Sequence, residues 1–176
     1  MTSSWNKFQG RPHMRELVLS NSEQEGPIDI SRQWTADLVD EDEYADTTCI
    51  CGNHGLRYLY MVENNITGAS LYPVGSVCVL EFENEYMDRV VEFMPLVRGL
   101  RDLERYEQTF EDAREKGLLT RKFIDYLDEE YAIPGQADFL KDMFNRKFHG
   151  RGHMSRKQKY RADKVIEELV VWAHTV

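Results

Sequence analysis

Residues 49–55 read Cys-Ile-Cys-Gly-Asn-His-Gly, and a third cysteine follows at Cys78. Thiolates and imidazoles are the ligands zinc prefers, and zinc takes four of them in a tetrahedron. Cys49, Cys51 and His54 share a short span of backbone in which Gly52 permits a sharp bend, because glycine adopts conformations closed to other residues. With Cys78 they make a set of three cysteines and one histidine. Such a set has no open position, and so describes a structural Zn2+ rather than a catalytic one. The competing reading is plain packing, since cysteine is among the most buried residue types. If His54 does not bind, His13 or a carboxylate of the acidic run at residues 40–46 is the alternative fourth ligand.

The flanking elements give these residues a topology. The segment from Leu56 to Asn65 is rich in aromatic and branched residues, Asn-Ile-Thr-Gly has turn chemistry, and Ala69–Gly75 returns as a second extended segment. Together they read as a β-hairpin. Gly75 and Ser76 then precede a stretch in which Val79, Phe82, Tyr86, Val90 and Phe93 recur at helical spacing, with Ser76 at the N-cap position. A knuckle, a hairpin and a helix whose first turn carries the last ligand is the arrangement of a treble-clef zinc finger. A helix N-terminus, with its partial positive charge and free N–H groups, favours a thiolate placed there.

Upstream, Arg15–Ser20 reads as one strand behind Gly10 and Pro12, and Ser31–Val39 as another, with Trp34, Ala36 and Leu38 alternating with Thr35, Asp37 and Val39. The acidic run that follows, with Asp40, Glu41, Asp42, Glu43 and Asp46, reads as a solvated loop. Downstream, Pro95 is expected to break or restart the helix, which continues with Leu96, Leu100, Leu103 and Phe110 on one side. Thr120 caps the next helix, a short one spans residues 137–148, and a glycine-rich connector leads to Ser155. Ser155 and Gln158 have capping-box spacing and open a helix that buries Ala162, Val165, Ile166, Leu169 and Ala173. The expected architecture is α+β: a small β-rich, treble-clef-like zinc module over residues 1–94, followed by a helical region over 95–176.

Charge adds the first clue about partners. The 176 residues carry a net −9, which argues against a chain coated in positive charge. The average conceals an asymmetry, because the segment Lys141–Lys164 alone carries +7 and leaves −16 to the rest. Within it Lys147, Arg151, Arg156, Lys157, Lys159 and Arg161 lie in a glycine loop and the helix start it feeds, a placement suited to contacting phosphates. The bland alternative is a solvated helix face pairing with the acidic remainder. No apolar run approaches the roughly 20 residues of a membrane span, and the opening residues lack the apolar core of a signal peptide, so a cytoplasmic protein with reduced thiols is expected.

The stretch Trp34–Phe82 resembles small uncharacterised proteins of phages and other mobile elements, whose pattern is a C-x-C-G knuckle, an N-x-T-G turn and a G-S-x-C segment ending in phenylalanine. Cys49, Cys51, Gly52, Asn65, Thr67, Gly68, Gly75, Ser76, Cys78 and Phe82 match it, and the likeness extends more faintly to residues 139–147 and to the helix at Ser155. The resemblance implies a phage-type zinc module that touches nucleic acid in the host cytoplasm, and it names no reaction. A treble-clef nuclease would need a general-base histidine at the end of the first hairpin strand and metal ligands on the helix. Here that strand ends in Glu63, Asn64 and Asn65, and the helix has no histidine. The chain therefore reads as non-enzymatic, associating with nucleic acid or a nucleic-acid-processing complex. The alternative is an acidic protein inhibitor of a host defence or nucleic-acid enzyme, of the anti-restriction or anti-CRISPR kind.

Overall fold

A computed structural model describes residues 7–26, 28–131, 136–148 and 154–176. Its architecture is α+β, with the described strands confined to the first of two units, Met1–Pro95 and Leu96–Val176.

The first unit opens with α1 (Pro12–Ser20) and a 3₁₀ turn (Ile30–Gln33), then β1 (Trp34–Glu41), β2 (Thr47–Thr48), β3 (His54–Leu56), β4 (Tyr58–Asn64), β5 (Ser70–Val74) and α2 (Ser76–Leu80). Strands β1, β4 and β5 form an antiparallel sheet with β4 in the centre, and its core face carries Trp34 and Ala36, Tyr60 and Val62, and Leu71 and Val74. Met14 and Val18 of α1, Phe8 and Phe82 complete that core, with the Phe8 and Phe82 rings edge to face at 5.0 Å. The register of β1 against β4 shifts between Leu38 and Asp40, which marks a bulge. Strands β2 and β3 pair as a separate ribbon whose closing turn is the cysteine knuckle.

Two expectations for this unit are corrected. Residues 15–20 are helical: Pro12 stands in the first turn, where its missing N–H costs nothing, and Met14 and Val18 bury at helical spacing. The apolar run Leu17–Leu19 has strand propensity, but helical periodicity decides which residues reach the core. The helix expected from Ser76 onward is two helices. Gly75, not Ser76, is the N-cap of α2, and α3 (Glu85–Arg101) begins after Glu83 turns the chain at a φ of 47°. The break is imposed by Asn84, whose Oδ1 accepts from Tyr86 N–H while its Nδ2 donates to the carbonyls of Ser31 and Trp34. Glu81 and Glu83, flanking Phe82, pair with Arg11 and Lys7.

The hairpin turn is held from inside. Asn64 is 1% exposed, and its Oδ1 accepts from the N–H groups of Ile66 and Thr67, both at 2.9 Å. Its Nδ2 donates to Gln33 Oε1 at 3.3 Å, and Gln33, equally buried, also bonds the backbone of Glu23 and Ile28. Asn64 therefore ties the β4–β5 turn to the residues that enter β1, and a buried amide network is stable only when each member finds its partners.

The second unit is helical. Helix α3 runs unbroken through Pro95, contrary to the expected break, and the division between units falls inside it. Val90, Phe93, Val97 and Leu100 remain buried on both sides of the proline, and that continuous apolar stripe outweighs one missing helical hydrogen bond. Then follow α4 (Phe110–Glu115), α5 (Arg121–Tyr131), α6 (Ala137–Phe148) and α7 (Arg156–Ala173). Thr120 caps α5 by accepting from Phe123 N–H, and both halves of the Ser155–Gln158 capping box form. The expected apolar residues of α7 are buried, joined by Val170. Among the described residues, no helix is long and apolar enough to cross a membrane.

The amide network generates a prediction. Asn64→Ala leaves the N–H groups of Ile66 and Thr67 without their acceptor and removes one of the two donors to Gln33 Oε1, and is expected to lower stability by about 1–3 kcal/mol. Urea denaturation should show a lower midpoint with an unchanged slope; an unchanged midpoint would mean that the network contributes nothing net.

Candidate metal centre

The knuckle is built by backbone. Gly52 N–H donates to the Cys49 carbonyl at 2.8 Å and Cys49 N–H to the Asn53 carbonyl at 2.7 Å, closing a turn that needs Gly52 at a φ of 96°, a left-handed value that excludes most side chains. Ile50 N–H bonds the Pro73 carbonyl at 3.0 Å, which fixes the knuckle to β5 just before the chain enters α2. Cys78 is the third residue of α2, so the end of the hairpin delivers it to the two knuckle cysteines.

The three thiols meet. Cys49 and Cys78 Sγ are 3.8 Å apart, Cys78 and Cys51 Sγ 3.3 Å, and all three sulfurs lie within 4.8 Å of one another. A tetrahedral ion with metal–sulfur bonds of about 2.3 Å needs its sulfurs about 3.8 Å apart, so the cluster fits a metal with little rearrangement. Cys49 and Cys78 are each 2% exposed, and Cys51 is half-buried. The Cys78 thiol in contact with Cys49, helped by the N–H groups of Cys51 and Gly75, holds Cys49 down to about 5 despite its burial. The same contact, together with burial, pushes Cys78 up. The N–H support thus goes to Cys49, with Gly75 N–H at 3.4 Å from its sulfur. The N–H groups of Cys78 and Val79, the third and fourth residues of α2, bond the Gly75 carbonyl at 2.9 and 3.1 Å.

His54 stands apart from the triad. It is exposed on β3, its Nδ1 is 2.7 Å from Thr48 Oγ1, and among the described residues the ligand group consists of the three cysteines alone. His13 is exposed on α1 and also lies outside the group. A cavity of about 390 Å³ opens beside the thiols, lined among others by Cys49, Cys78, Asn53, His54, Arg57 and Tyr58. Arg57, one of the lining residues, has Nε 2.8 Å from Glu41 Oε1 and its guanidinium over the Tyr58 ring.

The acidic run does local work that its composition conceals. Asp42 Oδ2 accepts from Thr47 N–H and Oγ1 and from Asp46 N–H, and its Oδ1 accepts from Tyr44 N–H. One carboxylate therefore shapes the loop that leads into the ribbon, and bonding to the Thr47 hydroxyl holds its pKa below the usual range.

Of the basic candidates, Arg156, Lys157 and Lys159 are exposed at the start of α7, and no ion pair involves them among the described residues. Arg161 lies 4.2 Å over the Phe139 ring, Lys164 pairs with Glu167, and Lys141 bridges Asp125 and Asp128. Arg151 and the Lys147 side chain fall outside the described residues.

The Asp42 cap generates a pH prediction. A carboxyl group whose folded pKa is depressed stabilises fully above its unfolded value of about 3.9, and loses that contribution as pH falls through the folded value. The stability advantage of the wild type over Asp42→Asn should therefore be flat at neutral pH and shrink below about pH 4. Thermal melts from neutral to strongly acidic pH test this, and an advantage independent of pH would refute it. Compared with protein-family models, curated proteins and solved structures, the chain matches none.

Proposed function

We propose that this is a non-enzymatic zinc protein of mobile-element type, in which Cys49, Cys51 and Cys78 hold a Zn2+ that organises the fold, and α7 associates with nucleic acid. The observation that carries the zinc reading is the convergence of three sulfurs, from a knuckle and a helix almost thirty residues apart, to spacings a tetrahedral ion requires. Thiolate-rich donor sets select zinc among the common divalent ions, and a site of this kind contributes on the order of 10 kcal/mol to folding at neutral pH. That is comparable with the whole stability of a domain.

The nucleic-acid reading rests on Arg156, Lys157 and Lys159, exposed, close together and unpaired among the described residues. Cations free of protein partners are the ones that can displace counterions from a phosphate backbone. A second reading draws on Asp37, Asp40, Glu43 and Asp46, exposed along β1 and the loop after it, an acidic strip suited to the basic groove of a nucleic-acid enzyme.

Two measurements test these readings. The purified protein should contain one equivalent of zinc, Cys78→Ser should lose it, and chelation should unfold the wild type; a metal-free, chelator-indifferent, folded protein sinks the zinc reading. In a salt series with single-stranded and duplex DNA and RNA, reversing the charges of Arg156, Lys157 and Lys159 should weaken binding and flatten the log–log salt slope by about 3. Absence of binding at low salt removes the first functional reading in favour of the acidic inhibitor.

A further inference from the structure

Helix α7 is uneven along its length. Residues 156–164 hold five cations and one carboxylate, and that carboxylate, Asp163, accepts from Phe110 N–H at 3.0 Å at the start of α4. Glu167 and Glu168 follow only in the second half of the helix. Tyr160 stands within the basic half with 67% of its surface exposed. Residues three and four apart share a helix face, so Arg156 and Lys157 precede its ring on that face and Lys164 follows it. The Lys164 ammonium, which also pairs with Glu167, is 6.0 Å from the ring centroid. The surroundings of this ring differ from those of the protein's two more exposed tyrosines. Tyr44 follows Asp42 and Glu43 in the acidic run, and Tyr106 lies between Glu104 and Glu107, whose carboxylates push its phenol pKa up. A polyanion is repelled from those two rings and drawn to Tyr160.

We propose that the start of α7 binds single-stranded nucleic acid, with an unpaired base stacked on the Tyr160 ring and the flanking phosphates on Arg156 and Lys157. The inference rests on the nucleic-acid reading given above and narrows it to a substrate class. Every unpaired base offers a π-face, and stacking one on an aromatic side chain strengthens binding by about five- to a hundredfold. Inside a duplex both faces of a base are covered by its neighbours. The cations then still meet phosphates, but the ring has nothing to stack on. Because stacking reads no base edge, the site is indifferent to sequence.

Fluorescence anisotropy of the full-length protein with three labelled probes separates the ring from the cations. The probes are a mixed-sequence DNA strand, the same strand annealed to its complement, and a strand of equal length made of abasic sites. The intact strand should bind most tightly, by about fivefold or more over the abasic one. Tyr160→Ala, an exposed change to a better helix former, should abolish that difference and leave the duplex affinity and the salt slopes unchanged. Tyr160→Phe should preserve it. Arg156→Ala combined with Lys157→Ala should weaken all three probes and flatten the salt slope on the intact strand by about 0.7 per cation. Equal affinity for intact and abasic strands, a duplex bound more tightly than the intact strand, or wild-type behaviour of Tyr160→Ala overturns the inference and leaves the nucleic-acid reading standing. Equal losses in Tyr160→Phe and Tyr160→Ala assign the contact to the phenol hydroxyl and also overturn it. If no probe binds at low salt, the underlying reading falls together with the inference.

Discussion

The constraint on which the first unit depends is that the sulfurs of Cys49, Cys51 and Cys78 must occupy one small volume. Bringing them there fixes the two ends of a loop that contains β3 and the hairpin β4–β5. Closing a loop of that length costs conformational entropy that the hairpin's own cross-strand pairs recover only in part. The backbone contributes two further ties, from Ile50 to Pro73 and from Gly75 to the Cys49 sulfur, both at the point where the hairpin gives way to α2. The thiol cluster and these bonds reinforce one another: the bonds hold the sulfurs near their metal-binding spacing, and an ion would lock the geometry that the bonds prepare.

Much of this was legible in the residues. The cysteine spacing, the glycine turn and the alternation in Trp34–Leu38 led to the knuckle, the hairpin and the first strand, and the Ser155–Gln158 spacing led to the start of α7. What was not legible has identifiable physical causes. Residues 15–20 have the composition of a strand, yet only a helix places Met14 and Val18 together against the sheet. The split between α2 and α3 depends on Asn84 reaching carbonyls of Ser31 and Trp34, about fifty positions earlier, and no local pattern contains that information. Pro95 is a strong breaker in isolation, and tertiary packing overrode it. At the centre itself His54, close to the cysteines along the chain, lines the cavity beside them with its Nδ1 2.7 Å from Thr48 Oγ1.

Charge on this protein is more organised than its net value suggests. Asp42 spends its carboxylate on four bonds within its own loop, and Glu81 and Glu83 anchor the N-terminal segment through Arg11 and Lys7. In the helical unit several bases of the positive segment are likewise engaged, by Phe139, Glu167, Asp125 and Asp128. The exposed charges are localised: Arg156, Lys157 and Lys159 stand at the start of α7, and Asp37 and Asp40 along β1.

The edges of the small sheet carry a final consequence. Its two outer strands, β1 and β5, each present a row of backbone groups that a foreign extended segment could adopt as a template. Strand β1 is distorted by the register shift between Leu38 and Asp40 and lined by exposed Asp37 and Asp40, while β5 contains Pro73, which has no N–H to offer. Both borders are thereby made poor seeds for strand-by-strand growth. The carbonyl of Pro73 meanwhile accepts from Ile50 N–H, so the residue that spoils this border for an added strand is also the one that fastens the cysteine turn to it.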